Sequence, residues 1–232
     1  MRSIDIPGVR ALPLFQDMSE ENFQRLMRGC YVQTFPPQVD LITEGDPCDF
    51  LHIVVEGSVE LFAAWNGRET TMATVHPVTS FILAATIKDA AYLMSARTLE
   101  KSRLILLPSN DVRDIFDEDH AFARAVVAEL AKCYRTVVKD TKNLKLRSSI
   151  ERLANYLLRL QIKNNGSKEF ELQIEKRRLA SYLGMTPENL SRAIKALQPY
   201  SVTIDGPRVC IADRDDLATL AKPTPLIDTP SQ

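Results

Sequence analysis

Thr186-Pro-Glu-Asn-Leu-Ser-Arg-Ala-Ile-Lys-Ala-Leu197 carries its own helix start signal, because Thr186 can cap a helix and Pro187 suits the first helical position. Leu190, Ile194 and Leu197 recur at i, i+4 and i+7 as one apolar stripe. Glu188, Ser191, Arg192 and Lys195 form the opposite stripe at helical spacing. The stretch therefore predicts a short helix with an apolar back and a front able to reach base edges and phosphates. Just before it, Glu175-Lys-Arg-Arg-Leu-Ala-Ser-Tyr-Leu-Gly184 predicts another helix with glycine at the turn. Helix, glycine-containing turn and helix make a helix-turn-helix unit. Thr186 and Arg178 complete the expected DNA-contacting set.

Downstream, residues 201–204, the pair Asp205-Gly206 and residues 208–211 predict a small hairpin of the winged type. The tail from Pro223 is rich in Pro, Thr and Ser and is expected to be loose. Upstream, Ser148 or Ser149 can cap a helix over about residues 150–162, with Leu153, Leu157, Leu158 and Leu160 as its apolar side, and residues 170–174 alternate like a strand. Residues 119–144 hold neither Gly nor Pro and predict one long helix. Within it Ala123, Leu130, Val137 and Leu144 repeat every seven residues, with Val126 and Cys133 at the intervening positions. Such a seam suits a contact between two copies, since one reading helix covers few base pairs and a twofold pair covers two half-sites. Burial of the same face in its own domain is the other reading. Asp140 falls at the next seam position, so the seam opens at its far end.

The first half of the chain has a different texture. Residues 5–29 predict short helical pieces. From Tyr31 to about Leu107 come short β-branched and aromatic runs, at 31–35, 50–55, 59–63, 70–75, 93–99 and 103–107. Phe35-Pro-Pro-Gln, Glu44-Gly-Asp-Pro, Glu56-Gly and Asn66-Gly break them as turn signals. Many short strands at this spacing argue for a β-roll, jelly roll or barrel. The expected class is α+β, with a sensor roll over residues 1–118, a long helix and hinge over 119–146, a winged helix-turn-helix over 147–222 and the tail over 223–232.

Composition is that of an ordinary globular chain: 232 residues, 45% hydrophobic, 25% charged and a formal net charge of −1. The charge is unevenly spread. From Lys142 to Gln198 twelve Lys and Arg stand against five Asp and Glu, so a basic segment that can meet phosphate accompanies an acidic remainder. Cys30, Cys48, Cys133 and Cys210 lack zinc or iron–sulfur spacing and are expected as reduced structural thiols. No apolar run is long enough to span a membrane, and the expected place is the cytoplasm. A jelly-roll enzyme would want a His-x-His pair with a carboxylate, and His52, His76 and His120 are not so arranged.

Over about residues 10–220 the chain resembles the CRP/FNR superfamily of bacterial transcription regulators. Two stretches carry the likeness: Phe50-Leu-His-Ile-Val-Val-Glu-Gly-Ser-Val-Glu-Leu and Leu179-Ala-Ser-Tyr-Leu-Gly-Met-Thr-Pro-Glu-Asn-Leu-Ser-Arg-Ala-Ile-Lys-Ala-Leu. The resemblance implies a cyclic-nucleotide-binding-like roll, a dimerisation helix, a winged helix-turn-helix and a homodimer on double-stranded DNA, with RNA polymerase as a further partner and no membrane. The Glu-x-x-Ser-Arg pattern of FNR-like members stands here as Glu188, Ser191 and Arg192, which implies TTGAT and its inverted repeat as the site.

The sensor half departs from the family's cyclic-nucleotide binders. Ile82 and Leu83 stand near their Gly-Glu turn, and Tyr92 and Leu93 near their Arg-Ser pair, so no fixed cation awaits a phosphate and cyclic AMP is not expected. The clustered cysteines of oxygen sensors are missing too, so no iron–sulfur cluster is expected. What remains is similar to the nitric-oxide-responsive regulators of denitrification, whose pocket is thought to hold haem. That likeness implies a pocket of Phe81, Ile82, Leu83, Tyr92, Leu93 and Met94, with Val127 and Tyr134 from the long helix. It makes His76 the candidate iron ligand, with Tyr92 beside it and His52 and His120 less well placed. A small aromatic or other organic effector is the competing occupant. In either case the effector would repack the long helix, and the junction Lys145-Leu-Arg-Ser148 would reorient the reading helices.

Overall fold

The turn signals of the first half close a β-roll. The computed structural model describes residues 5–229 and divides into two compact units, residues 1–131 and 132–232. The first begins with α1 (Asp5–Arg10) and α2 (Glu20–Arg28). Eight strands follow: β1 (Tyr31–Phe35), β2 (Asp40–Ile42), β3 (Phe50–Glu56), β4 (Val59–Trp65), β5 (Arg68–Val75), β6 (Thr79–Phe81), β7 (Ser95–Thr98) and β8 (Ser102–Pro108), with α3 (Leu83–Lys88) between β6 and β7. They form two antiparallel four-stranded sheets, ordered β1-β8-β3-β6 and β2-β7-β4-β5. Asn66 and Gly67, at φ 49° and 73°, supply the left-handed pair that the β4–β5 turn requires.

Two cores lie on either side of the first sheet. Leu51, Ile53, Ile105 and Leu107 turn outward against α1, α2, α4 (Ser109–Glu118) and the start of α5 (His120–Leu146). Val54 and Leu104 turn inward, where Val59, Leu61, Phe81, Tyr92 and Ala96 fill the roll. Asp119 ties the helical layer together. One carboxylate oxygen accepts from the Ala121 and Phe122 amides to cap α5, and the other accepts from the Ser19 amide and the Asn22 side chain at the start of α2. These bonds hold its carboxyl well below the usual carboxylate range, although burial opposes them.

The second unit continues α5 into α6 (Ser149–Lys163), β9 (Glu169–Glu171), α7 (Lys176–Tyr182), α8 (Pro187–Ala196), β10 (Val202–Asp205), β11 (Arg208–Ile211), α9 (Arg214–Ala221) and α10 (Pro225–Asp228). Ser148 starts α6 through a reciprocal capping box with Glu151. A three-stranded sheet, β10-β11-β9, makes the wing. Leu153, Leu157, Leu179, Leu190, Leu197, Val202 and Leu217 meet in one core beneath it. No described helix is long and apolar enough to cross a membrane, and no disulfide joins the four cysteines.

Several expectations need correction. Between the expected runs at 70–75 and 93–99 stand two elements that the sequence did not announce, β6 and α3, whose three and six residues are too few to show a period. The tail is not loose as far as Thr229: α10 is capped by Thr224, and Asp228 is bound by two arginines. The seam on α5 has a different phase. Val126 is fully buried in its own domain with Phe122, and Leu130 packs partly there; removing such a side chain from water is worth about 1.5–3 kcal/mol, which commits that face inward. The exposed stripe runs through Val127 at 60%, Tyr134 at 71% and Val137 at 61% exposure, with Leu144 one turn beyond a threonine. With Leu130 these recur at alternating spacings of three and four, a line that Ala123 also joins, whereas Val126 and Cys133 lie off it.

Candidate nucleic-acid interface and sensor site

The reading helix is built as its sequence suggests. The Thr186 hydroxyl accepts from the Asn189 amide to cap α8, and Leu190, Ala193 and Leu197 are buried beneath it. Glu188, Ser191, Arg192 and Lys195 are all exposed on the front. Glu188 is held below its ordinary pKa by a bond to its own backbone, by the Thr186 hydroxyl and by the charge of Arg192, so it presents a carboxylate. The Ser191 hydroxyl donates to the Pro187 carbonyl at 3.0 Å, which leaves its lone pairs outward as acceptors. Thr186 is spent on the cap. Arg178 is half-buried on α7 and already engaged, so it stands apart from the exposed front.

Behind the front lies a residue that the sequence reading passed over. Arg152 on α6 is buried, and among the described residues no carboxylate pairs with it. Its guanidinium instead gathers carbonyls. Nε donates to Leu183 at 2.9 Å, one terminal nitrogen to Arg147 at 2.7 Å and Leu144 at 3.4 Å, and the other to Gly184 at 3.3 Å. These carbonyls end α5 and α7, where the helix dipoles place partial negative charge. Gly184 is at φ +62°, and a Cβ there would stand 2.6 Å from a Leu144 methyl, so the turn of the helix-turn-helix rests directly on the end of α5. The available signal was an arginine within the apolar face Leu153, Leu157, Leu158.

In the sensor unit the expected pocket does not assemble. Phe81, Ile82, Tyr92 and Met94 belong to the roll interior. Leu83 turns to the opposite core, Leu93 is 83% exposed, and Val127 and Tyr134 lie on the exposed stripe of α5. His76 is exposed just past β5, because Val75 is the last residue of that strand to face the core. The buried imidazole is His52. Its ring stacks on Phe81 with centroids 5.2 Å apart, and its Nδ1 has no partner. Burial pulls its pKa down to about 4, against a hydrogen bond with the Phe50 backbone, so the ring is neutral at pH 7.

A small polar cluster flanks it. The Tyr92 hydroxyl donates to the Phe50 carbonyl at 3.4 Å, and the Cys48 thiol lies 3.4 Å from the Thr86 hydroxyl and 3.6 Å from that of Ser109. Burial keeps the Tyr92 phenol protonated. Ile82, at the start of α3, has φ 67°; a left-handed β-branched residue is strained, and such residues concentrate at switch regions and ligand clamps.

A model of the cyclic nucleotide-binding domain matches residues 32–119, and a model of the Crp-like helix-turn-helix domain matches residues 151–220. The transcriptional activator protein anr of Pseudomonas aeruginosa is 21% identical over 186 residues, spanning 78% of this chain and 76% of its own length. Among solved structures, FixK2 from Bradyrhizobium japonicum superposes with a TM-score of 0.70 at 20% identity, covering 84% of this chain and 98% of that one. DNR from Pseudomonas aeruginosa superposes with a TM-score of 0.52 at 20% identity, covering 95% and 99%.

Proposed function

The chain is a DNA-binding transcription regulator of the CRP/FNR family, not an enzyme, and we propose that it works as a homodimer on an FNR-like inverted repeat of TTGAT. One observation carries this reading: α8 keeps Glu188, Ser191 and Arg192 together on an exposed front while Leu190, Ala193 and Leu197 anchor its back. Arg192 offers its fork to guanine O6 and N7, the Glu188 carboxylate accepts from cytosine N4, and Ser191 accepts from a base amine. Lys195 meets a phosphate and sets affinity without sequence information. A second copy covers the stripe Val127, Leu130, Tyr134 and Val137, which brings two reading helices to half-sites about 34 Å apart. The description of the Pseudomonas relative as an activator supports RNA polymerase as a further partner. Arg192→Ala tests the base-reading role: a loss confined to the repeat supports it, and an equal loss on random DNA would sink it.

For gating, a small, largely apolar organic molecule with one hydrogen-bonding group is the effector we favour over nitric oxide bound through haem. Support comes from the neutral His52, whose Nδ1 is unpartnered and whose ring stacks on Phe81, in a roll whose interior also holds Ile82, at the strained start of α3, and Tyr92. The residues named for haem do not fit it, since His76 is exposed and Leu93, Val127 and Tyr134 are not turned to the roll interior. Cyclic AMP is disfavoured because Ile82-Leu83 and Tyr92-Leu93 offer no cation. The effector shifts a population between two settings of the hinge at Leu146–Ser148, and can shift it only as far as its affinities for the two states differ. An absorption spectrum with and without added haem, paired with a thermal-shift screen of aromatic acids, separates the two occupants.

A further inference from the structure

The structure assigns Asp228 the part of a positioning residue: the C-terminal segment is a strap that fixes the angle between the long helix and the DNA-reading domain. Asp228 meets Arg147 in two parallel hydrogen bonds, at 2.8 and 2.6 Å. Arg147 is the hinge residue itself, between the end of α5 at Leu146 and the cap of α6 at Ser148. The same carboxylate takes a bond from Arg159 on α6 at 3.1 Å, and its other oxygen also accepts the Thr224 amide at 2.8 Å. Next to it, Lys139 on α5 donates to the Thr229 carbonyl at 2.7 Å. One short segment thus grips α5, the hinge and α6 at once.

The pair is not a solvated surface contact. Only 7% of the Arg147 side chain and 12% of that of Asp228 are exposed, so the bidentate geometry is held in a place poor in water, where a fork-to-carboxylate pair resists rotation. The sequence around it serves the same end. Thr224 caps α10 and Pro225 begins it, which turns the chain so that Asp228 faces Arg147. On the other side of the hinge Arg152 binds the Arg147 carbonyl, so the hinge is held through its side chain by the strap and through its backbone by α6.

The consequence rests on the reading that two copies of α8 engage one repeat. If the strap fixes the hinge, it fixes the separation of the reading helices. Cutting it should then cost spacing discrimination rather than base recognition. Full-length Asp228→Asn and Asp228→Glu are compared with wild type on the repeat with half-sites one helical turn apart, and on the same repeat with one base pair inserted. Hydrogen exchange across residues 144–149 is followed in parallel. We expect Asp228→Asn to lose about five-fold or more in the ratio of the two affinities, with faster exchange at the hinge, and Asp228→Glu to recover most of both. An aspartate that merely stabilised the fold would lower affinity on both duplexes alike, and that result, or unchanged exchange, overturns the assignment. Should wild type fail to bind the repeat at all, the dimeric DNA reading falls, while the exchange comparison still decides the strap.

Discussion

Arg152 Nε donates to the Leu183 carbonyl oxygen at 2.9 Å, which joins the first helix of the winged domain to the end of α7, immediately before the reading helix. With the bonds to Arg147 and Gly184 this makes a buried cation into a three-way joint.

Arg152→Met should cost about 3 kcal/mol, because it leaves buried carbonyls without donors, each lost partner being worth about 1–3 kcal/mol. Arg152→Lys keeps the charge and loses the fork, so it should retain only part of that stability. Chemical denaturation measures both. Equal stability of wild type and the Met variant would mean that the carbonyls find other partners and the joint is idle.

Arg192→Ala and Lys195→Ala should fail differently. The first is expected to lose about 1–3 kcal/mol on the repeat and little on random DNA. The second should weaken both duplexes alike and lower the slope of log affinity against log salt by about one. Salt titrations of each variant on both duplexes distinguish them, and interchangeable behaviour would remove the division of labour on α8.

Tyr134→Glu and Val137→Glu should yield a folded monomer, since both side chains are exposed in a single copy. Val126→Glu should instead unfold the sensor unit, because that position is fully buried among Phe122 and its neighbours. Sedimentation and thermal melts together read the outcome. A Val137→Glu protein that stays dimeric would take the stripe out of the account.

The two phases of α5 show what a sequence does and does not carry. Ala123, Val126, Leu130, Cys133 and Val137 fit a seven-residue repeat, and Val127, Leu130, Tyr134 and Val137 fit it as well. Only the packing of Val126 against the sensor core decides between them, and that contact depends on residues far away in the chain. The front of α8 was legible because polar and apolar groups separate cleanly over ten residues. The histidines were not: β3 buries residues on both of its faces, so period-two alternation could not mark His52 as inward, while His76 stood beside an apolar stretch in sequence but not in space. Asp228 was hidden by a composition that suggests a loose tail.

His52 gives the fold a pH dependence. Its pKa falls from 6.5 to about 4 on folding, so below pH 6.5 the unfolded chain takes up a proton that the folded one refuses. Stability from this group is complete above pH 6.5 and declines as pH falls toward 4, by about 3 kcal/mol. His52→Phe, which keeps a ring against Phe81, should flatten that part of the curve. Denaturation midpoints between pH 4 and 7 check the slope, and identical slopes for the two proteins would place the imidazole in water.

The pairing of two exposed α8 fronts on one repeat is tested most directly by fluorescence anisotropy at fixed salt, with stoichiometry, on a labelled duplex carrying the TTGAT inverted repeat and on one with its guanine–cytosine pairs exchanged. The account predicts two protomers per duplex and binding to the intact repeat about thirty-fold or more tighter than to the altered one, at about 1–3 kcal/mol for each of the two exchanged pairs. Equal affinity for the two duplexes, or one protomer bound per duplex, would contradict it.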